Sequence, residues 1–278
     1  MRRRLSVIEA RVLPRGWTDA LRQLLLGAAA YMLYELVRAI VAGNSLAPGY
    51  KPFGDATKII NFERLLHVFV EPNIQHWTQF HLHWLMDIAD FTYLNAHYLV
   101  SIGALVFIYI RRNDSFYFIR NMFMIAMAIA LIGYAVYPTA PPRLLPEWGF
   151  TDTIQQFTGI TVERGAGSAL LNLYAAVPSM HVCFALMIGV PMSRLVRRWP
   201  ARWAWRLYPV LITFVVVATG NHYFTDVFLG ALTAGVSALL ADRLLARARP
   251  DVWRFSPRVD APLSPRVDAT PALGRAPA

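Results

Sequence analysis

The sequence has few charged residues and almost no lysine or cysteine. Only 16% of its 278 residues are charged, whereas 56% are hydrophobic and the mean hydropathy is +0.39. In soluble domains roughly a quarter of the residues are charged, whereas several stretches of this chain hold almost no charged residues. Because such stretches are typical of membrane-spanning helices, the composition argues against a soluble protein. It also excludes nucleic-acid binding as the reason for the net charge of +10, because the bases lie between hydrophobic runs.

The single cysteine and the N-terminal segment limit other interpretations. Cys183 is the only cysteine and lies within an apolar run. Because a single cysteine forms no intrachain disulfide, the cysteine content does not indicate the redox compartment. All bases except Lys51 and Lys58 are arginine. We predict no cleavable signal peptide, because the first apolar run is too long and begins too far from the N-terminus.

The apolar runs predict six membrane spans in an all-α, polytopic membrane protein. Each run is near the roughly 20 residues that cross a hydrocarbon core of about 30 Å. The predicted spans are Leu21–Ala42, Thr92–Ile110, Phe116–Tyr137, Ser179–Val196, Arg206–Ala218 and Thr225–Leu245. The fifth is short unless it runs on through His222. One or two interfacial helices are expected on the outer side within residues 43–91, where Ile59–Val70 is amphipathic but too polar to cross the bilayer.

The distribution of bases predicts the orientation of the bundle. With the N-terminus in the cytoplasm, 21 bases flank the spans on the cytoplasmic side and five on the outer side, as the positive-inside rule requires. Both termini are then cytoplasmic. We divide the chain into a cytoplasmic N-terminal segment (1–20), a six-helix membrane catalytic domain (21–246) and a disordered cytoplasmic tail (247–278). The tail is rich in proline and alanine and lacks an apolar face.

Three polar motifs fall on the outer side in this topology. They are Tyr137–Arg143 after the third span, Ala176–His181 at the start of the fourth, and Thr219–Asp226 between the fifth and sixth. The first two motifs lie at the two ends of Pro138–Pro178, a predicted loop of about forty residues, and loops of that length are often functional.

His222 and Asp226 form the first candidate pair. Four residues apart on a helix, they share one face. The carboxylate can accept the proton of one ring nitrogen and raise the basicity of the other, which makes the imidazole a usable nucleophile. The alternative is an interfacial histidine that caps a helix while Asp226 pairs with an arginine.

The start of the fourth span is the second candidate site. Pro178 and Ser179 precede an apolar run and predict a helix start with Ser179 as its N-cap. The free N–H groups and the helix dipole form an anion site, and His181 there can protonate a leaving oxygen. The alternative is a histidine that is hydrogen-bonded within the bundle.

Arginines supply the candidate phosphate ligands. Arg143 follows two prolines that hold the chain extended, and a guanidinium can hold a phosphate through two parallel hydrogen bonds. Its alternative role is contact with lipid headgroups. Arg164, beside two glycines, is a second candidate. Arg38, near the outer end of the first span, either pairs with Glu35 or reaches the phosphate.

A cluster of histidines and aspartates before the second span is a conceivable metal site. His81 and His83, however, are two residues apart and so point to different sides of a helix. We therefore predict headgroup contact or interfacial packing for the cluster, and no metal or cofactor. Its members are His76, His81, His83, Asp87 and Asp90.

The joint pattern resembles a known family. Pro178-Ser179-x-His181, followed 41 residues later by His222-x-x-x-Asp226, is similar to the second and third signatures of the type 2 phosphatidic acid phosphatase superfamily. That superfamily has a six-helix core, and the resemblance covers about residues 20–246. It implies a metal-independent lipid phosphatase or phosphotransferase that acts through a phosphohistidine intermediate.

The resemblance also implies roles for the candidate residues. His222 would attack phosphorus while Asp226 orients it, and His181 would protonate the departing alkoxide. Arg143 and the amides near Ser179 and Met180 would stabilise the equatorial oxygens. Water or an alcohol would then accept the phosphoryl group. The implied partners are the bilayer and a phospholipid, polyprenyl phosphate or sphingolipid phosphate; protein partners are left open.

The run Tyr137-Pro138-x-Ala140-Pro141-Pro142 is more similar to the inositolphosphotransferase branch, which is related to fungal inositol phosphorylceramide synthases. The chain departs from the phosphatase signatures at several positions, and as a result it lacks two of the usual phosphate-binding cations. These departures are Val136, Leu144, Met180, Val215 and Val216.

The missing cations leave two explanations. Either Arg164 or Arg38 replaces them, or the substrate is a diester with less charge, which favours a transferase acting on a phospholipid headgroup. The alternative from another class is a non-catalytic lipid transporter or scaffold that retains the fold.

Overall fold

The computed structural model describes residues 12–43, 52–159 and 174–257, and within the first range it describes side chains only through residue 36. Every regular element in these ranges is a helix, and one isolated parallel bridge joins Thr139 to Ala175. In chain order the helices are α1 (Gly16–Gly43), α2 (Pro52–Leu65), α3 (Glu71–His81), α4 (His83–Arg111), α5 (Asn113–Val136), α6 (Thr153–Thr158), α7 (Met180–Leu195), α8 (Trp199–Ala218), α9 (Phe224–Ala248) and α10 (Pro250–Trp253). Two short 3-10 helices, Pro142–Leu144 and Pro146–Trp148, follow α5.

Four of the described helices, α4, α5, α8 and α9, are long and apolar enough to cross a membrane. They correspond to the predicted second, third, fifth and sixth spans. The helices α1 and α7 occupy the places of the first and fourth, and α7 has only 16 residues. The all-helical membrane architecture is therefore confirmed in the described ranges, while six spans remain a prediction.

The structure moves several of the predicted boundaries. Helix α4 begins at His83, so the last part of the expected interfacial segment belongs to a continuous 29-residue helix. Helix α8 begins at Trp199 instead of Arg206 and is therefore not short. Pro200 lies in its first turn, where a missing N–H costs no helical hydrogen bond. The amphipathic stretch from Ile59 does not reach Val70, because α2 ends at Leu65.

Helix α7 lies at the centre of the bundle and packs against α5, α8 and α9. Close approach is possible because glycines occupy its contact points. A Cβ at Gly189 would lie 2.6 Å from the Trp205 carbonyl oxygen on α8, and one at Gly230 on α9 would lie 2.3 Å from the Ser179 carbonyl oxygen. Small residues at such crossings let helix backbones meet closely in membrane proteins.

The beginning of the predicted tail is packed against the bundle. The ring centroid of Phe255 lies 5.6 Å from that of Phe118 on α5. The Ser115 hydroxyl donates a hydrogen bond of 2.8 Å to the Ser256 carbonyl. These contacts hold residues 250–257 against α5, whereas the remaining tail, 258–278, lies outside the described residues.

Candidate active site

The three predicted motifs meet at one end of the bundle. Arg143 N–H, after α5, donates to the Gly220 carbonyl at 2.7 Å. Ser179 N–H, just before α7, donates to the Asp226 carbonyl at 3.1 Å. These two backbone hydrogen bonds tie the connection between α8 and α9 to both other motifs, so residues far apart in sequence share one site.

His222 and Asp226 contact each other, but not through a shared helical face as the spacing suggested. His222 precedes α9, and Tyr223 is the N-cap of that helix. The Asp226 carboxylate reaches back over the helix start, with Oδ2 at 3.3 Å from His222 Nδ1 and accepting from Tyr223 N–H at 3.0 Å. This is the reach of a capping side chain at the third helical position. Both side chains are buried. Because Nδ1 faces the carboxylate, Nε2 is the ring nitrogen that the carboxylate does not engage.

His181 occupies the first turn of α7, as predicted. Ser179 is the N-cap, and its Oγ accepts from Val182 N–H at 3.5 Å. The His181 ring centroid lies 5.9 Å from that of His222 and 4.4 Å from that of Tyr93, on which it stacks. Its Nε2 is buried and has no hydrogen-bond partner in the described part of the chain. A polar atom in this situation is unusual in a folded protein.

Another buried histidine, His97, adjoins His181, and no sequence pattern singled it out. The His97 ring centroid is 5.1 Å from that of His181, and His97 Nδ1 lies 2.9 Å from the Tyr208 hydroxyl. His97 follows a π-helical turn, Thr92–Ala96, within α4, and such turns are frequent at functional sites. Its partners come from α7 and α8, so no local pattern could have revealed the contact.

Arg143 has its guanidinium oriented by two side chains. Nε donates to Asn221 Oδ1 at 2.9 Å, and Nη1 donates to Asp152 Oδ2 at 3.0 Å. Asp152 is itself the N-cap of α6 and accepts from Gln155 N–H at 3.0 Å. The side chain is only 10% exposed, so in this structure it belongs to the polar cluster next to His222 and does not project into the surrounding lipid headgroups.

Two of the remaining candidates lie where the structure describes no side chains. Arg164 lies outside the described residues, and Arg38 lies in α1 where side chains are not described. Val215 and Val216 are buried in α8, where the resembled signature has serine and arginine. Within the described ranges, no group of three or more metal-ligating side chains forms a metal site. In the histidine cluster, His83 Nδ1 faces Asp87 Oδ2 at 3.5 Å.

Two cavities open beside residues of the candidate site. A groove of about 250 Å³ runs between α2 and α9, and its lining is almost entirely apolar. It includes Thr225, which directly precedes Asp226. A smaller and more polar cavity of about 100 Å³ includes Asp90 and Thr153. The Thr153 hydroxyl donates to Asp90 at 2.9 Å, so this cavity reaches the residue next to the Asp152 partner of Arg143.

The described ranges are helical, and four of their helices are fit to cross a membrane. Two histidines, an aspartate and an arginine meet at one end of the bundle, which is the composition of a membrane enzyme that acts on phosphate esters. A family model described as the PAP2 superfamily matches residues 57–240, about two thirds of the chain, and the chain belongs to this superfamily. Comparison with curated proteins and with solved structures yields no match. Membership in the superfamily indicates phosphatase or phosphotransferase activity on lipid phosphates.

Proposed function

We propose that the protein cleaves a lipid phosphate ester through a phosphohistidine at His222 and transfers the phosphoryl group to an alcohol or to water. The observation that carries the proposal is the buried contact between His222 and Asp226, with the His181 ring centroid 5.9 Å from that of His222. Two imidazoles at this separation can approach opposite sides of one phosphorus atom.

The first half-reaction uses both histidines. The lone pair of His222 Nε2 forms a bond to phosphorus while the bond from phosphorus to the lipid oxygen breaks. Asp226 accepts the hydrogen bond from Nδ1–H and stabilises the positive ring that forms. His181, in its protonated form, gives its proton to the departing oxygen.

The second half-reaction returns the enzyme to its starting state. Neutral His181 takes the proton of an alcohol or water, the resulting oxygen attacks phosphorus, and the bond to His222 Nε2 breaks. Arg143 donates hydrogen bonds to the equatorial phosphate oxygens, as do the amides of the first turn of α7 near Ser179 and Met180. No step needs a metal ion.

We infer that the substrate is a phosphodiester, which places the protein nearer the inositolphosphotransferase branch than the phosphatases. Valines 215 and 216 are buried at the position of the usual serine and arginine, so α8 supplies no cation there. A diester carries less negative charge than a monoester and needs fewer cations. The apolar groove beside Thr225 suits the hydrocarbon part of such a lipid.

We also propose that six helices cross the membrane, with α1 and α7 as the additional spans and α2 and α3 at the outer interface. Both termini are then cytoplasmic and the site faces the extracytoplasmic side. The excess of bases on the cytoplasmic flanks supports this orientation.

The test is replacement of the proposed nucleophile. His222→Ala and wild-type protein are purified in detergent and assayed with radiolabelled phosphatidic acid, lipid pyrophosphate, and phosphatidylinositol with ceramide. His83→Ala, which removes an exposed histidine, is the matched control. We expect His222→Ala to lose turnover and covalent ³²P labelling, while His83→Ala keeps both.

Two results would contradict the proposal. Unchanged turnover by His222→Ala would remove His222 as the nucleophile. Absence of turnover by the wild type on every lipid tested would favour a non-catalytic transporter or scaffold.

A further inference from the structure

Two carboxyl groups from outside α9 bind the first backbone amides of that helix. Glu63 on α2 accepts from Thr225 N–H at 2.6 Å, and Glu71 at the start of α3 accepts from Phe224 N–H at 3.0 Å. Amides in the first turn have no acceptor within their own helix, and the positive end of the helix dipole favours negative groups. The start of α9 is therefore bound to α2 and to the start of α3.

This fastening adjoins the candidate nucleophile. Asp226 accepts from Tyr223 N–H, so three successive amides, 223 to 225, are each bound by a different carboxyl group. The same Asp226 oxygen faces His222 Nδ1. A displacement of this helix start would therefore move the carboxylate that orients the imidazole.

Glu63 and Glu71 are a buried carboxyl pair, and a single shared proton reduces its charge from two to one. Glu63 and Glu71 are 1% and 0% exposed, and the Oε2 atom of each is buried without a hydrogen-bond partner in the described residues. Two neighbouring buried carboxylates do not both ionise readily. Burial, and after it the neighbouring Glu63 carboxyl, raise the pKa of Glu71 from its usual 4.5 to about 8.

We propose that Glu63 and Glu71 are positioning residues that share one proton between their Oε2 atoms and thereby hold His222 and Asp226 in the reactive arrangement. This inference rests on the proposed function of His222. With the proton present, the pair carries one negative charge against the positive end of α9. Without it, two negative charges repel each other and also repel Asp226.

Within the described ranges, Glu63 is the charged side chain with the largest effect on the pKa of Glu71, and none of the main causes of the shift is a cation. Tyr223 is buried, and its pKa is raised by burial and then by Asp226, Glu63, Glu71 and Glu147. The phenol therefore stays neutral, and its hydroxyl donates to a backbone carbonyl at 3.3 Å. Loss of the shared proton thus adds a negative charge that none of these groups balances.

The decisive variant is Glu71→Gln. Its amide can donate to Glu63 Oε2 permanently while its carbonyl still accepts from Phe224 N–H. Glu147→Gln removes an exposed carboxylate from the same end of the molecule and is the matched control. Both are compared with wild type in the lipid turnover assay from pH 5 to pH 10.

We expect wild-type kcat to fall as pH rises through about 8, the value to which the pKa of Glu71 is raised. In Glu71→Gln this fall should move upward by at least about one pH unit, with KM little changed, and in Glu147→Gln it should stay in place. A side chain that only packs would lower kcat without moving the profile. Identical alkaline profiles for wild type and Glu71→Gln would overturn the positioning role.

A measurement without turnover tests the shared proton itself. Between about pH 4.5 and pH 8 the folded protein holds a proton on Glu71 that the unfolded chain has lost. The free energy of unfolding should therefore fall with rising pH in this window and level off above it. The melting temperature of the wild type should show this fall, and Glu71→Gln should reduce it.

Infrared titration of the wild type supplies the same test without a variant, because a protonated carboxyl band should persist to about pH 8. If melting temperature and carboxyl band show no such proton, the inference is wrong. If they show it but no lipid is turned over, the shared proton stands, and the proposed function fails together with the positioning role.

Discussion

Gly230→Ala tests the close contact that brings the two histidine-bearing segments together. Gly230 lies on α9 and faces the N-cap of α7. A Cβ added there would lie 2.3 Å from the Ser179 carbonyl oxygen and 3.2 Å from its carbonyl carbon. Both atoms are backbone, so no flexible side chain can move aside. The helices must separate or bend at this crossing.

The expected cost follows from two opposing effects. Overpacking a close contact destabilises a protein by typically 1–3 kcal/mol, and a backbone clash belongs near the upper end. Alanine regains about 1 kcal/mol of helix propensity relative to glycine. The net loss of stability should therefore be about 2 kcal/mol.

The loss of turnover should exceed what this loss of stability would cause. The Ser179 N–H to Asp226 carbonyl hydrogen bond, 3.1 Å long, spans the same crossing. Separating the helices would move His181 away from His222. A misplacement of about 1 Å can reduce a rate by roughly 100-fold, and we expect an effect of that order on kcat.

Gly235→Ala is the control, because Gly235 lies on the same helix and has no atom within 4 Å of an added Cβ. It should be as stable as wild type or slightly more so, with unchanged turnover. Melting temperature in detergent and initial rates, on whichever lipid the turnover assay shows to be a substrate, provide the two readouts. If Gly230→Ala matched Gly235→Ala in both, the contact would not position the histidines.

Two further predictions concern the guanidinium and the orientation of the site. Arg143→Lys should lower kcat/KM by about 10- to 100-fold, because the single nitrogen of lysine cannot reproduce the planar fork that reaches Asn221 and Asp152 and leaves donors for a phosphate. A rate within twofold of wild type would contradict this. Glu147→Cys, at an exposed position, should react with a membrane-impermeant maleimide on intact cells, against the low background of buried Cys183. Labelling only after permeabilisation would instead place the site on the cytoplasmic side.

Apolar runs were sufficient to predict the helical membrane architecture, because the length and composition of a span follow from the thickness of the bilayer. They predicted the ends of helices poorly. Helix α4 extends back to His83 and α8 back to Trp199 through residues too polar to be counted in an apolar run. Hydrophobic patterning reports where a helix meets lipid, whereas its end depends on caps and on neighbouring helices.

Short-range spacing was enough to single out His222 with Asp226, and Ser179 with His181, because each pair lies within one turn of chain. The count of bases placed the motifs at one end of the bundle. It did not reveal Glu63, Glu71 or His97, whose partners lie between 111 and 162 residues away. Only packing brings such residues together, because a buried carboxyl or imidazole takes its partner from whichever backbone or side chain the neighbouring helices present to it. Patterns over a few residues therefore predicted residues of the candidate site, and the folded bundle decided which other residues contact them.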